Sequence, residues 1–228
     1  MCFSAEASFG AGTILLGIGI ASICKAESAP HKVLACMPLL FSMQQFDEGL
    51  LWLTFSNAAF LQWQQMAIHV FLLFAQVIWP VFVPLSMLLI EKHPVRKKIL
   101  RITLGTGIVW SAYFLYCLFT LNTTAVVSDH HIRYDFTYPY THGWIIGLLY
   151  FIPTVISPLV SRNKKMQLIG ALILLAYLIS RVFYREYLIS VWCYFAAVIS
   201  IIILWAIIEL RKSKDPRQTV QSAQIPLS

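Results

Sequence analysis

Seven long apolar stretches divide the chain, and their spacing predicts seven membrane-crossing helices at residues 5–24, 33–55, 64–90, 99–121, 143–160, 166–183 and 188–209. Stretches of this length match the roughly 20 residues a helix needs to cross a bilayer. Between them the cations alternate. Fourteen of the 17 Lys and Arg residues fall in the first, third and fifth gaps and in the tail from Arg211; the other gaps hold only Arg133, Arg181 and Arg185. Basic residues collect in loops that stay in the cytoplasm. The expected fold is therefore an all-α, seven-transmembrane-helix bundle with its N-terminus outside and its C-terminus cytoplasmic. It forms one domain over residues 1–212, followed by a disordered cytoplasmic tail, 213–228, that is polar and lacks periodicity.

Prolines shape the longer spans. Pro80 and Pro84 remove backbone donors from the third, and Pro153 and Pro158 from the fifth, so both are expected to bend. Ser8 with Gly12, Gly17 with Ala21, and Cys193 with Ala197 place small residues at helical spacing, where they let helices approach in lipid. The loop from Asn122 to Thr141 reads differently. From Tyr134 its aromatics recur at every second position, which is strand periodicity, and Val126 and Val127 sit where they can pair with it as a hairpin. That aromatic ridge is read as a cap over the bundle mouth, with a belt at headgroup level as the alternative.

Composition narrows the class further. A chain 59% hydrophobic and 12% charged has far too little polar surface for one soluble core. The net charge of +7 does not point to nucleic acid, because the cations flank membrane spans; anionic lipid headgroups are the expected partner. Residues 5–24 have no basic segment before them and no small-residue cleavage site after them, so the first span is expected to be retained. The five cysteines follow no disulfide framework. Cys2, Cys117 and Cys193 lie toward the outside, where a bridge such as Cys2 to Cys193 can survive.

Ionisable groups inside a span are costly, so they tend to meet a partner or a wet cavity. Here they are one-sided in depth. Glu6 opens the first span, and Asp47 and Glu48 lie about 10 Å below the outer end of the second, at the helical rise per residue. His69 lies about 8 Å below the start of the third span by the same measure, His142 at the outer entrance of the fifth, Arg181 at the outer end of the sixth and Glu186 just before the seventh. Gln44, Glu48 and Trp52 repeat at i, i+4 and i+8, with Gln45 three before Glu48, so they share a helix face. A carboxylate flanked by amides and an indole can bind a cation, hold a proton or anchor a polar network. Glu6, Glu48, His69 and His142 also offer the N and O ligands that a divalent metal such as zinc accepts. They come from four helices with no compact metal-binding spacing.

The opening Met1-Cys2-Phe3-Ser4-Ala5-Glu6-Ala7-Ser8-Phe9, the Gln44-Gln45-x-x-Glu48-Gly49-x-x-Trp52 helix and Ser190-Val191-Trp192-Cys193 together resemble a family of multi-pass bacterial membrane proteins of unknown function. The resemblance spans essentially the whole chain and implies an inner-membrane protein. It carries no activity, cofactor or catalytic residue with it. The last span has no lysine for a retinal Schiff base, and no inner-face receptor motif is present.

The functional expectation is a polar pocket open to the periplasm that binds a small molecule, metal ion or proton. Its candidate ligand-binding residues are Glu48, Glu6, Gln44, Gln45, Trp52, Arg181 and Cys193, and its candidate metal ligands are Glu6, Glu48, His69 and His142. The rival expectation is a membrane-embedded hydrolase or transferase acting on lipid or an exported substrate, in which a histidine or carboxylate activates water, with or without a metal.

Overall fold

The computed structural model describes residues 4–128, 131–136, 147 and 149–212. Almost all of them are helical. Helix α1 (Ala5–Lys25) is followed by the short α2 (Ala29–Ala35) and by α3 (Met37–Ser56). A 3-10 turn (Ala58–Trp63) leads into α4 (Gln64–Leu72), a π-helical segment (Leu73–Ile78) and α5 (Trp79–Ile90). Helix α6 (Pro94–Thr120) precedes strands β1 (Thr123–Ser128) and β2 (His131–Phe136). Then come α7 (Leu149–Val160), α8 (Lys164–Phe183), α9 (Leu188–Ile199) and α10 (Ile201–Lys212).

Five helical segments among the described residues are long and apolar enough to cross a membrane: Ala5–Lys25, Ala58–Ile90, Pro94–Thr120, Lys164–Phe183 and Arg185–Arg211. Helix α3, which carries Gln44, Gln45, Asp47 and Glu48, is not among them, and the described part of α7 is shorter. Val109, Phe119 and Phe183 stand more than 70% exposed, as side chains facing acyl chains do. This is the exterior of a membrane protein.

The prolines act where the sequence puts them, and in two cases the helix widens. Leu73–Ile78 opens into π geometry just before Pro80, and Ile152–Ile156 does so around Pro153 and ahead of Pro158. A proline ring crowds the carbonyl four residues earlier and supplies no N–H, so the preceding turn loosens. Neighbouring side chains answer the freed carbonyls. Ser111 Oγ donates to the Val77 carbonyl at 2.7 Å, and the Tyr150 hydroxyl donates to that of Ala75. The predicted second span is broken at Cys36, between α2 and α3, where Pro38 enters the first turn of α3.

Small residues set the closest helix approaches. The buried stripe on α1 is Ser8, Gly12, Leu15, Gly19 and Ser22, and it packs on α3. Ser42 Oγ donates to the Gly12 carbonyl at 2.7 Å across that seam. The Gly17–Ala21 pair expected from spacing lies off the stripe, since Gly17 is exposed with open space beside it. On α6, a Cβ at Gly107 would fall inside the van der Waals shell of the Pro80 carbonyl oxygen.

The two ends of the bundle differ. At one, the three basic gaps meet the start of the basic tail: Lys165 pairs with Glu209 at 3.0 Å, Arg211 with Glu27 at 3.1 Å, and Arg96 reaches the Val160 carbonyl at 3.0 Å. The buried Glu91 carboxylate accepts from the backbone N–H groups of Lys92, His93 and Arg162, each at 2.9 Å, and so locks two of these turns together. Burial works against ionisation of Glu91, yet these three N–H groups and nearby Arg96 hold its carboxyl below the usual range.

At the other end sits the hairpin. Its strands pair antiparallel from Thr123↔Phe136 to Ser128↔His131; Asp129 and His130 lie outside the described residues. Alternation decides its faces. Ala125, Ile132 and Tyr134 turn into a core with Leu51, Phe71 and Leu72, while Asp135 is exposed. Tyr134 stacks on Phe71 with ring centroids 5.0 Å apart. His131 stacks on Tyr187 at 4.7 Å. Further along the aromatic ridge, Tyr138 and Tyr140 lie outside the described residues.

Candidate functional site

Two cavities lie one behind the other inside the bundle. The larger, about 530 Å³, is walled by β2, α6, α8, α9 and the π segment before α5. We call it the chamber. Ile132, Tyr134 and Phe136 of the hairpin form one side. Gln76, Trp110, Tyr150 and Trp192 form the deeper wall, and Arg181, Arg185 and Glu186 also line it. Its size lies within the range of small-molecule pockets.

The smaller cavity is a narrow slot of about 60 Å³ with almost wholly apolar walls, among them Met37, Phe41, Met87, Ala196 and Ile203. Tyr150, Trp192 and Cys193 line both cavities and form the partition between them. Trp192 makes edge contacts with Tyr150 at 5.3 Å and Tyr177 at 5.1 Å.

The chamber's charges are unequally engaged. Arg133 pairs with both acids of the lining, Asp135 at 3.1 Å and Glu186 at 3.6 Å, which raises its guanidinium further above its ordinary range. Arg181 and Arg185 form no ion pair among the described residues. In the deeper wall, Gln76 Oε1, Trp110 Nε1 and Trp192 Nε1 are buried without a hydrogen-bond partner. These three atoms are closed off from water-sized space, so they belong to the packed wall behind the chamber surface and not to its polar lining.

The face read from the sequence on α3 is fully buried. Gln44, Gln45 and Glu48 each show no exposure. Ser190 Oγ donates to Glu48 Oε1 at 2.6 Å, Gln45 Nε2 donates to Glu48 Oε2 at 3.1 Å, and Trp79 Nε1 donates to Gln44 Oε1 at 2.8 Å. Gln44 and Glu48 also lie beside the Cys193 thiol. None of the three lines the chamber or the slot. They stand behind the partition and hold α3, α5 and α9 in register, so Cys193 connects them to both cavities.

The remaining candidates are spread out. Arg181 lines the chamber. Trp52 is half-buried against the hairpin-side core, with Nε1 unpartnered. Glu6 is exposed in the first turn of α1, next to the Ser4 cap. His69 Nδ1 lies 2.7 Å from the Gln65 carbonyl, and because a carbonyl only accepts, Nδ1 carries the proton. Gln65 Nε2 in turn donates to the Thr123 carbonyl at 3.1 Å, so this part of α4 fastens β1. His142 and Cys2 lie outside the described residues. Among the described residues no three His, Cys, Asp or Glu side chains gather where they could hold a metal ion.

The sequence pattern does not single out Arg185, Tyr150, Tyr177 or Trp110 as lining residues. Trp110 does pack, against Phe114 at 4.3 Å, and it also walls the chamber. Only the cation of Arg185, in a gap otherwise poor in Lys and Arg, offered a signal.

Residues 1–219 match the model of a family of unknown function, DUF6629. The chain belongs to the DUF6629 family. No curated protein and no solved structure matches it. Membership covers the whole described fold, and the opening motif, the α3 face and the Ser190–Cys193 segment all lie inside the matched residues.

Proposed function

We propose that this DUF6629 member is a multi-pass protein of the bacterial inner membrane that binds a small ligand in the chamber beneath its hairpin. In this reading the chain crosses seven times, with α3 and α7 as the crossings less apolar or shorter than the rest. Its N-terminus and hairpin face the periplasm, and its basic end faces the cytoplasm. The chamber then opens on the periplasmic side. The protein senses or handles its ligand there.

The observation that carries this reading is the chamber itself: about 530 Å³ of space whose lining includes Arg181 and Arg185, neither of them in an ion pair among the described residues. Arg181, Trp192 and Cys193 are the residues placed to touch a ligand. Gln44, Gln45 and Glu48 act one layer back, by fixing α9 through Ser190.

Gly147 supplies the test. It lines the chamber, and a Cβ built there meets no atom within 4 Å, so Gly147→Trp is expected to put bulk into the cavity. Native mass spectrometry of the detergent-purified protein is expected to find a stoichiometric bound molecule in the wild type and none in Gly147→Trp. An equal adduct in both proteins, or no adduct in either, would overturn the proposal.

A further inference from the structure

We infer that the ligand is an anionic amphiphile, with its phosphate or carboxylate head on Arg181 and Arg185 and its apolar body passing Trp192 toward the slot. The inference rests on the reading of the chamber as the ligand site and adds the chemical class.

Charge comes first. Of the ionisable residues lining the chamber, Asp135 and Glu186 are both taken by Arg133, while Arg181 and Arg185 are left with no ion pair among the described residues. Four residues apart along the α8–α9 connection, these guanidiniums present donors suited to a planar or tetrahedral oxyanion. A cationic ligand would meet net repulsion at this rim.

The second observation is the gradient of polarity. From the arginine rim the lining passes to Trp110, Phe114 and Trp192, then through the Tyr150–Trp192–Cys193 partition into a slot that is apolar almost throughout. A small hydrophilic anion leaves that inner half unused, and a neutral hydrocarbon leaves the arginines unanswered. A molecule polar at one end and aliphatic at the other meets both. Arg181 ends the last turn of α8, at the level where the headgroups of the surrounding membrane lie in the proposed topology, so such a molecule can arrive from the lipid itself.

The test uses the purified full chain in a neutral maltoside detergent, read by native mass spectrometry. The probes are lysophosphatidylglycerol, lysophosphatidylcholine of the same acyl length, and inorganic phosphate. The anionic lipid is expected to bind about tenfold more tightly than the zwitterionic one, the scale of one lost charge-assisted contact. The double variant Arg181→Gln/Arg185→Gln, whose side chains are exposed and so dispensable for folding, is expected to erase that preference. Ala196→Phe, which narrows the slot, is expected to weaken lipids with long chains and to spare short ones. Inorganic phosphate displacing the lipid at equal concentration would overturn the inference in favour of a water-soluble anion. Equal binding of the two lipids, or a preference kept by the arginine variant, would also overturn it. In those cases loss of binding in Gly147→Trp leaves the chamber standing as a ligand site, whereas binding unchanged by Gly147→Trp removes both.

Discussion

Ser190 Oγ lies 2.6 Å from Glu48 Oε1, joining α3 to α9 across 142 residues of chain. Gln45 Nε2 occupies the other carboxylate oxygen. A buried acid is tolerated only when its oxygens are answered, so this contact decides whether Glu48 is a stabilising group or a cost. Ser190→Ala is expected to destabilise the protein by about 1 kcal/mol, the scale for one lost buried hydrogen bond. Glu48→Gln and Ser190→Ala should be coupled. Thermal unfolding in detergent of both single variants and the double variant gives the coupling energy, and simple additivity would mean the two do not act together.

The Trp79–Gln44 bond offers a cleaner separation of packing from polarity. Trp79 stacks on Phe41 with centroids 3.9 Å apart and donates to Gln44 Oε1. Trp79→Phe keeps an aromatic ring but removes the donor, so a loss of about 1–2 kcal/mol is expected in the same unfolding assay. If Trp79→Phe melts with the wild type, the indole N–H contributes nothing.

Two glycines on α6 should respond in opposite directions. Gly105 has open space where a Cβ would stand, and Gly107 has the Pro80 carbonyl. Gly105→Ala is expected to be neutral or to stabilise by up to about 1 kcal/mol through helix propensity. Gly107→Ala must push α5 and α6 apart and is expected to cost about 1–3 kcal/mol. Melting temperatures of the two variants, compared side by side, check the sign of each.

Glu91 makes stability depend on acidity. Its carboxyl is held below the ordinary carboxylate range in the folded protein, so the unfolded chain binds the proton more readily. The contribution is complete above the ordinary carboxylate pKa and is lost as pH falls through the lowered folded value. Glu91→Gln is expected to lower stability by about 2 kcal/mol at neutral pH, where three N–H groups lose a charged acceptor, and to flatten the acid limb. Unfolding midpoints measured from neutral to acidic pH test both statements; parallel curves for variant and wild type would rule Glu91 out as the source.

The proposed topology has its own check. In a cysteine-free background, Val127→Cys on the exposed side of β1 should react with a membrane-impermeant maleimide in intact spheroplasts, and Ser228→Cys only after permeabilisation. The reverse pattern would invert the orientation.

Much of the architecture was legible in the chain. Apolar runs and prolines depend only on local chemistry, so the helical stretches and the disturbed, π-helical turns near Pro80 and Pro153 follow from them. The hairpin followed from alternation at Tyr134 and Phe136, which a strand imposes residue by residue. The break at Cys36 and the exact small-residue stripe on α1 did not follow, because both depend on which neighbour each helix meets. The inward face of α3 was correctly marked by Gln44, Gln45 and Glu48, but its partners Ser190 and Trp79 lie on helices whose rotation no local pattern fixes.

By itself, the sequence determined that this is a helical membrane chain with its basic gaps at one end, because hydropathy and charge act over a single span or turn. Only the tertiary structure decided where the cavities lie. It put Glu48 behind the partition, Arg181 at the rim and Trp192 between chamber and slot, because a cavity is the space left by helices packed from distant parts of the chain.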